Sequence, residues 1–164
     1  MVLLSFSITD HIQKIKAGLK FQTSRIPRKP RSNGKPAYSV GEKAQLYYRS
    51  RMKASCDNCI LNCGKVPNIN WCEQHTNFFG ESEIIDIIHY HSGDYKERYH
   101  EVWTGYTLSY ASKEDKESWA IADGFIDFKE ASEYFKTSHG GNWADLNWDV
   151  IVWGKIIKNQ KTDI

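Results

Sequence analysis

The chain contains 164 residues, of which 40% are hydrophobic, 13% aromatic and 26% charged, and its formal net charge at pH 7 is only +2. This composition excludes a disordered, a collagen-like or a coiled-coil chain, and it predicts one domain over residues 1–164 that needs no disulfide or metal to bury a core. The charge is nevertheless polarised, because residues 20–53 hold ten basic residues and one acidic residue. Such a local excess of positive charge indicates an anionic partner.

The hydrophobic patterns predict about six strands and three helices in one mixed α+β domain. Strands are predicted near residues 3–8, 21–26, 44–48, 84–88, 99–103 and 148–157. Helices are predicted to follow residue 9 and to span residues 113–122 and 128–137.

Short local signals predict where the helices begin and end. One face of the first helix carries three apolar residues, Ile12, Ile15 and Leu19. Thr9 or Asp10 is expected to cap its start, and Gly18 to end it. Ser112 and Asp127 are expected to cap the second and third helices.

No apolar run approaches the roughly 18 residues that a membrane span requires. The first eight residues are too few for a secretory signal and lack its basic start. We therefore expect a cytoplasmic protein without a membrane partner.

Four cysteines lie within 17 residues with the spacing C-x2-C-x3-C-x8-C, namely Cys56, Cys59, Cys63 and Cys72. In a reducing compartment this pattern favours metal ligation over disulfides. Four thiolates suit a zinc ion, with His75 as a candidate substitute ligand, and the same spacing suits an iron–sulfur cluster. Free thiols or two disulfides remain open. We expect a cysteine-rich insertion at about residues 50–78, a polar loop that a metal would hold in place.

Five short motifs follow one another along the chain. They are Leu4-Ser5-Phe6, Ile15-Lys16-Ala17-Gly18, Lys20-Phe21-Gln22-Thr23-Ser24-Arg25, Val40-Gly41-Glu42 and Ala122-Asp123-Gly124-Phe125. In their order and spacing, over roughly residues 3 to 157, the chain resembles the ASCH family, a branch of the PUA-like superfamily. The resemblance implies a PUA-like β-barrel of about six mixed strands, with two or three helices at its rim and a cleft beside the Lys–Thr–Arg segment.

The resemblance also implies a function. Members of the family are thought to bind RNA or nucleosides, and one bacterial branch hydrolyses an amide on N4-acetylcytidine with Lys, Thr and Glu. On this chain the matching positions are Lys20 and Thr23. Asp123, one methylene shorter than Glu, stands near the position of the carboxylate.

The residue types themselves are consistent with such a cleft. Thr23 and Arg25 are two apart and share a strand face, so a hydroxyl and a guanidinium would point into one cleft. Lys20 joins them only if the chain bends before Thr23, and burial and nearby cations would then lower its pKa. The ordinary alternatives are a surface lysine, a strand-forming threonine and a structural ion pair.

Six further basic residues, Arg28, Lys29, Arg31, Arg49, Arg51 and Lys53, are expected with Arg25 to contact phosphates. Nearby aromatic residues, among them Tyr38 and Trp71, could stack on bases, whereas His89, His91, His100 and His139 are expected to be structural. The leading hypothesis is an ASCH-type module that binds RNA or single-stranded nucleic acid and recognises a modified base or nucleoside. The alternatives are an amidohydrolase that deacylates N4-acetylcytidine-like nucleosides, and a protein that docks a partner through the cysteine loop.

Overall fold

The computed structural model describes residues 1–6, 8–48, 78–93 and 101–157. In chain order its elements are β1 (Val2–Phe6), α1 (Thr9–Lys16), β2 (Gln22–Arg25), β3 (Lys43–Tyr48), β4 (Phe78–Tyr90), β5 (Glu101–Trp103), α2 (Lys113–Ala122), α3 (Phe128–His139) and β6 (Trp148–Trp153). Two short 3-10 helices, Leu108–Tyr110 and Trp143–Asp145, flank α2 and α3. None of the helices in these ranges has the length and apolar character needed to cross a membrane.

The six strands form one mixed sheet in the order β1-β3-β4-β6-β2, with β5 paired to β4. β1 pairs with β3 and β5 with β4 in parallel, and the other pairs are antiparallel. The long strand β4 joins the two halves, and the register shifts once against β3 and once against β6. Such irregularities bend and twist a strand, which lets the sheet curl into a half-barrel. The predicted α+β class, strand number and helix number are confirmed.

Both faces of this sheet are covered, because alternate residues of a strand point to opposite sides. Ile87 of β4 and Ile151 of β6 face a core that also contains Ile15 of α1. Their neighbour in β6, Val150, faces a second core, which contains Trp119 of α2 and other aromatic residues of the α2–α3 side. The sheet therefore separates an aliphatic core from an aromatic one.

The start of α1 differs from the prediction. The helix begins at Thr9, and the residue at its cap position, Ile8, makes no side-chain hydrogen bond to the first turn. Asp10 instead pairs with Lys14 one turn later, at 2.9 Å. Leu19 lies beyond the end of the helix at Lys16 and is 64% exposed, so the prediction that it shares a helical face with Ile12 and Ile15 was wrong.

The predicted caps of the other helices are confirmed, although α3 extends to His139 rather than ending at residue 137. Gly18 follows α1 with a φ of +75°, the left-handed conformation that favours glycine after a helix. The Ser112 hydroxyl accepts a hydrogen bond from the Asp115 amide at 3.1 Å. The Asp127 carboxylate accepts one from the Glu130 amide at 2.8 Å. α2 and α3 therefore both begin at side-chain caps, which orients the connection between them.

Candidate functional site

A cavity of about 290 Å³ opens where β1, β2, α1 and the α2–α3 connection meet. Five of its lining residues were singled out from the sequence, namely Lys20, Thr23, Arg25, Arg28 and Asp123. The rest of its wall is mainly aromatic, including Phe6, Phe125, Tyr134 and Trp148. The fold therefore brings polar and aromatic side chains into one cavity from segments that lie about 100 residues apart in the chain.

Lys20 and Asp123 form a buried ion pair at the floor of this cavity. Lys20 is only 2% exposed, and its Nζ lies 2.5 Å from the Asp123 Oδ1 atom. The same ammonium donates to the backbone carbonyls of Asp123 and Gln22. Burial lowers the pKa of Lys20, and the Asp123 carboxylate opposes that shift. The direction of this shift agrees with the expectation from sequence.

The chain reaches this geometry through a bend and a tight turn. Lys20 lies between α1 and β2, where the Phe21 amide donates to the carbonyl of Ala122 at 3.3 Å. Asp123 ends α2, and its second carboxylate oxygen accepts from the Ser24 amide at 3.1 Å. Together these bonds hold the end of α2 against the start of β2.

Gly124 completes the turn, and no other residue fits there without strain. Its φ is +99°, and a Cβ at this position would lie 2.7 Å from the Lys20 Cδ atom and 3.0 Å from the His11 Cδ2 atom. The first contact is closer than real Cβ atoms show, the second is tighter than most of their contacts, and a side chain rarely adopts this φ. The Asp-Gly pair therefore places a carboxylate next to Lys20 while leaving room for the lysine side chain.

Thr23 and Arg25 share one face of β2, as their spacing predicted. Thr23 is 6% exposed and lines the cavity beside Lys20. The Arg25 guanidinium donates to the carbonyl of Ser5 at 2.6 Å and lies 5.7 Å from the centre of the Phe6 ring. Its buried Nε–H has no acceptor among the described residues. An unsatisfied buried donor costs about 1–3 kcal/mol, so a ligand or water that accepts from it would be favoured.

His11 is a site residue that the sequence did not reveal. It is 7% exposed, lines the cavity and packs edge-on against Phe125, with ring centres 4.9 Å apart. Burial, followed by the positive charge of Lys20, lowers its pKa from 6.5 to about 3. The imidazole is therefore neutral at pH 7. The available signal was its spacing, since it lies four residues before the core residue Ile15 and so shares a face of α1 with it.

The basic residues of the loop after β2 divide into two groups. Arg28 and Lys29 are exposed, and Arg28 lines the cavity. Arg31 instead forms an ion pair with Glu42, in which its Nη2 group donates to both carboxylate oxygens at 2.7 Å, so its charge is largely compensated. Arg49, Arg51 and Lys53 lie outside the described residues.

One residue predicted to stack on bases is buried, and the predicted metal ligands lie outside the described residues. Tyr38 is 6% exposed and belongs to the core below β1 and β3, so it is not an open platform for a base. Packing against apolar residues buries the Tyr38 ring, although basic residues lie near it in the sequence. The four cysteines, Cys56, Cys59, Cys63 and Cys72, lie outside the described residues together with Trp71 and His75.

A second polar cluster, unexpected from sequence, lies on β4 and β6. His89 Nδ1 and His91 Nε2 each lie 2.8 Å from the same Oδ1 atom of Asp149. Although burial opposes the change, the hydrogen bonds from the two imidazoles lower the pKa of the Asp149 carboxyl. These three side chains could hold a metal ion. Asp149 is 58 residues from His91, which is why the histidine spacing alone predicted only structural roles.

Comparisons of this chain with models of protein families, with curated proteins and with solved structures find no match. The cavity and the polar cluster therefore have to be interpreted from their own geometry and chemistry. The cavity combines a buried ammonium, a carboxylate and a hydroxyl with aromatic walls. Such a combination suits a small polar ligand with a flat apolar face.

Proposed function

We propose that this protein is an ASCH-type, PUA-like module that binds RNA or single-stranded nucleic acid by taking one modified base, or a free nucleoside, into the cavity. The observation that carries the proposal is the convergence of Lys20, Thr23 and Asp123 on one cavity of about 290 Å³. This volume lies at the lower limit of about 300 Å³ for small-molecule pockets, so it suits one base or nucleoside better than a folded nucleic acid.

The chemistry of the cavity supports a base as the ligand. Thr23 offers a hydroxyl that both donates and accepts hydrogen bonds, and Arg25 has a buried Nε–H that lacks an acceptor among the described residues. Phe6 and Phe125 provide buried apolar walls, and Tyr134, which is 39% exposed, is the lining ring on which a base could stack. Such stacking contributes about 1–3 kcal/mol. A base that is already unpaired enters such a pocket at the lowest cost, which favours single-stranded RNA.

Charge at the cavity supports the phosphate part of the proposal. Arg28 lines the cavity and is exposed, and Lys29 follows it in the same exposed loop. Neither forms an ion pair with an acidic residue within the described ranges, in contrast to Arg31. Arg49, Arg51 and Lys53, which the sequence predicts to contact phosphates, lie outside the described residues. The phosphates of a bound strand would then cross the loop while one base enters the cavity.

The test is binding of labelled single-stranded RNA, with and without one N4-acetylcytidine, at low and raised salt. Binding should fall with salt, and Arg28→Ala should reduce the log–log salt slope by roughly 0.7 if it neutralises one phosphate. Thr23→Val should remove the preference for the modified base while leaving the salt slope unchanged. Lys113→Ala, at an exposed lysine of α2, is the matched charge control and should change neither. Absence of binding, or binding indifferent to salt, would contradict the proposal.

A second candidate function is hydrolysis of the acyl amide of N4-acetylcytidine-like nucleosides. The observation that favours it is the buried Lys20–Asp123 pair beside Thr23, since burial lowers the pKa of Lys20 and so eases the loss of a proton from its ammonium. After that loss, the amine would accept a proton from water or the Thr23 hydroxyl as the oxygen attacks the acyl carbon. It would return the proton to the leaving nitrogen as the C–N bond breaks, and where Thr23 is the attacking group, water would then hydrolyse the acyl–threonine ester to release acetate. Asp123 reaches the Lys20 Nζ atom despite its short side chain and would orient it.

Incubation with N4-acetylcytidine distinguishes the two functions. An amidohydrolase should release cytidine and acetate, and both Lys20→Ala and Thr23→Val should abolish turnover. Activity that survives Lys20→Ala would remove the lysine from the mechanism. Binding of the nucleoside without turnover would support the binding function alone.

We further propose that Cys56, Cys59, Cys63 and Cys72 bind a zinc ion rather than an iron–sulfur cluster. The support is their spacing, which suits four thiolates around one tetrahedral ion. A colourless purified protein that contains zinc, and that loses it on thiol modification, would support this assignment. A brown protein that contains iron would contradict it.

A further inference from the structure

The cluster of His89, His91 and Asp149 arises directly from strand pairing. His89 and His91 are two residues apart along β4 and its end, so their side chains point to the same side. Asp149 of β6 is the cross-strand partner of His89 in the antiparallel β4–β6 pair. Side chains of directly paired residues lie close together on one face of a sheet. The position of the three groups is therefore set by the backbone of two central strands.

The donor atoms of these side chains converge on one point. Both imidazole nitrogens lie 2.8 Å from the Asp149 Oδ1 atom, and the ligand atoms of the three residues lie within 4.8 Å of one another. Around a tetrahedral zinc ion with bonds of about 2.0–2.1 Å, two ligand atoms are separated by roughly 3.3 Å. Small side-chain rotations would therefore suffice to replace the shared hydrogen bonds by a shared cation.

We propose that His89, His91 and Asp149 bind one divalent transition-metal ion, with Zn²⁺ as the best-matched ion. Two imidazoles and one carboxylate form a donor set that zinc uses at sites with an open coordination position, and Fe²⁺ is bound by the same set. His89 is 5% exposed and Asp149 9%, so the ion would be held in the sheet rather than on a surface loop. Calcium and magnesium prefer oxygen ligands and are disfavoured.

The surroundings leave space for a further ligand of the ion. The three residues line a cavity of about 160 Å³, whose lining also includes Arg28 and Tyr38. Arg28 also lines the cavity of about 290 Å³ into which Lys20 and Thr23 project. An open coordination position facing this space would be filled by water or by an oxygen of a small ligand. This inference does not depend on the proposed function, because it rests on the three donor groups alone.

The test is titration of the metal-free full-length chain with Zn²⁺, followed by the ¹⁵N resonances of the histidine rings. Zinc should shift Nδ1 of His89 and Nε2 of His91 and no ring nitrogen of His139. Asp149→Asn and His91→Gln should each weaken this binding by at least about 100-fold, more than the effect typical of residues that only support a ligand. His139→Ala is the matched histidine control and should leave it unchanged.

These readouts separate the cluster from any zinc held by the cysteines, because only the imidazole resonances report on it. Far-UV circular dichroism in the presence of a chelator verifies that each variant folds. If Asp149→Asn or His91→Gln does not fold, the comparison uses the other variant. If zinc leaves the His89 and His91 ring nitrogens unchanged in the wild-type chain, the cluster is only a hydrogen-bonded one. Unchanged zinc affinity in a folded Asp149→Asn variant would equally overturn the proposal.

Discussion

Replacement of Lys20 by methionine tests the buried ion pair at the centre of the candidate site. Methionine keeps most of the length and apolar contacts of lysine but removes its charge. The Asp123 carboxylate, 3% exposed, would then keep only the Ser24 amide among the hydrogen bonds described for its two oxygens. One backbone donor does not compensate a buried negative charge. We therefore expect Lys20→Met to lower the free energy of unfolding substantially.

The expected size follows from the burial of both partners. Breaking a buried ion pair by removing one partner costs about 3–5 kcal/mol, because the other charge is left uncompensated. In a domain of this length each kcal/mol lowers the melting temperature by about 2–4 °C, so the expected decrease is roughly 6–20 °C. The double variant Lys20→Met/Asp123→Asn should be more stable than the single variant, since the uncompensated charge is then absent.

The measurement is urea unfolding at pH 7, supported by thermal unfolding. Lys43→Met serves as the matched control, because the Lys43 side chain is 75% exposed and lies 3.7 Å from Glu81. An exposed pair of this kind contributes about 0–1 kcal/mol. The reasoning is refuted if Lys20→Met is as mild as Lys43→Met, or if the double variant is less stable than the single one.

Three further changes test individual features. Gly124→Ala should destabilise the fold and abolish nucleoside binding, because its Cβ would lie 2.7 Å from the Lys20 side chain. Gly141→Ala is the control and should do neither, since a Cβ there has open space. Equal nucleoside binding by the two variants would contradict this prediction. The pKa of His11 is about 3 in the folded chain against 6.5 when unfolded, so the unfolded state binds more protons between these pH values. The free energy of unfolding should therefore decrease as the pH falls through this window, by at most about 1.4 kcal/mol per pH unit, and a His11→Gln variant with the same pH dependence would refute the assignment. Ser112→Ala should cost about 1 kcal/mol in urea unfolding through loss of the cap of α2, and no change would show that the cap contributes nothing.

Much of the fold was predictable because local chemistry decides it. The side-chain caps at Ser112 and Asp127 and the glycine after α1 are read from neighbouring residues, and all three are confirmed. The wrong prediction of a cap for α1 also came from local chemistry alone. Thr9 and Asp10 are good caps in general, but here the helix starts one residue earlier than a cap at Thr9 would allow, without side-chain help.

Pairwise relations within one strand were also predictable. The spacing of Thr23 and Arg25 places them on one face of β2, and both line the larger cavity. The proximity of Lys20 to that face depends on a bend, and spacing on a regular strand could not predict it. Arg31 illustrates the reverse case, because its pairing with Glu42, 11 residues away, removes it from the free basic surface.

The sequence by itself determined the fold class, the approximate elements and the basic character of one segment, since these follow from composition, periodicity and residues close in the chain. Only the tertiary structure decided that Lys20 is neutralised by a carboxylate 103 residues away, and that His89 and His91 meet Asp149 across the β4–β6 pair. The physical reason is that charge compensation and ligand convergence depend on distances in space. Such distances are set by sheet pairing and core packing, which no local pattern encodes. The positive segment therefore matters less as a total charge than through the few of its cations that remain uncompensated beside the cavity.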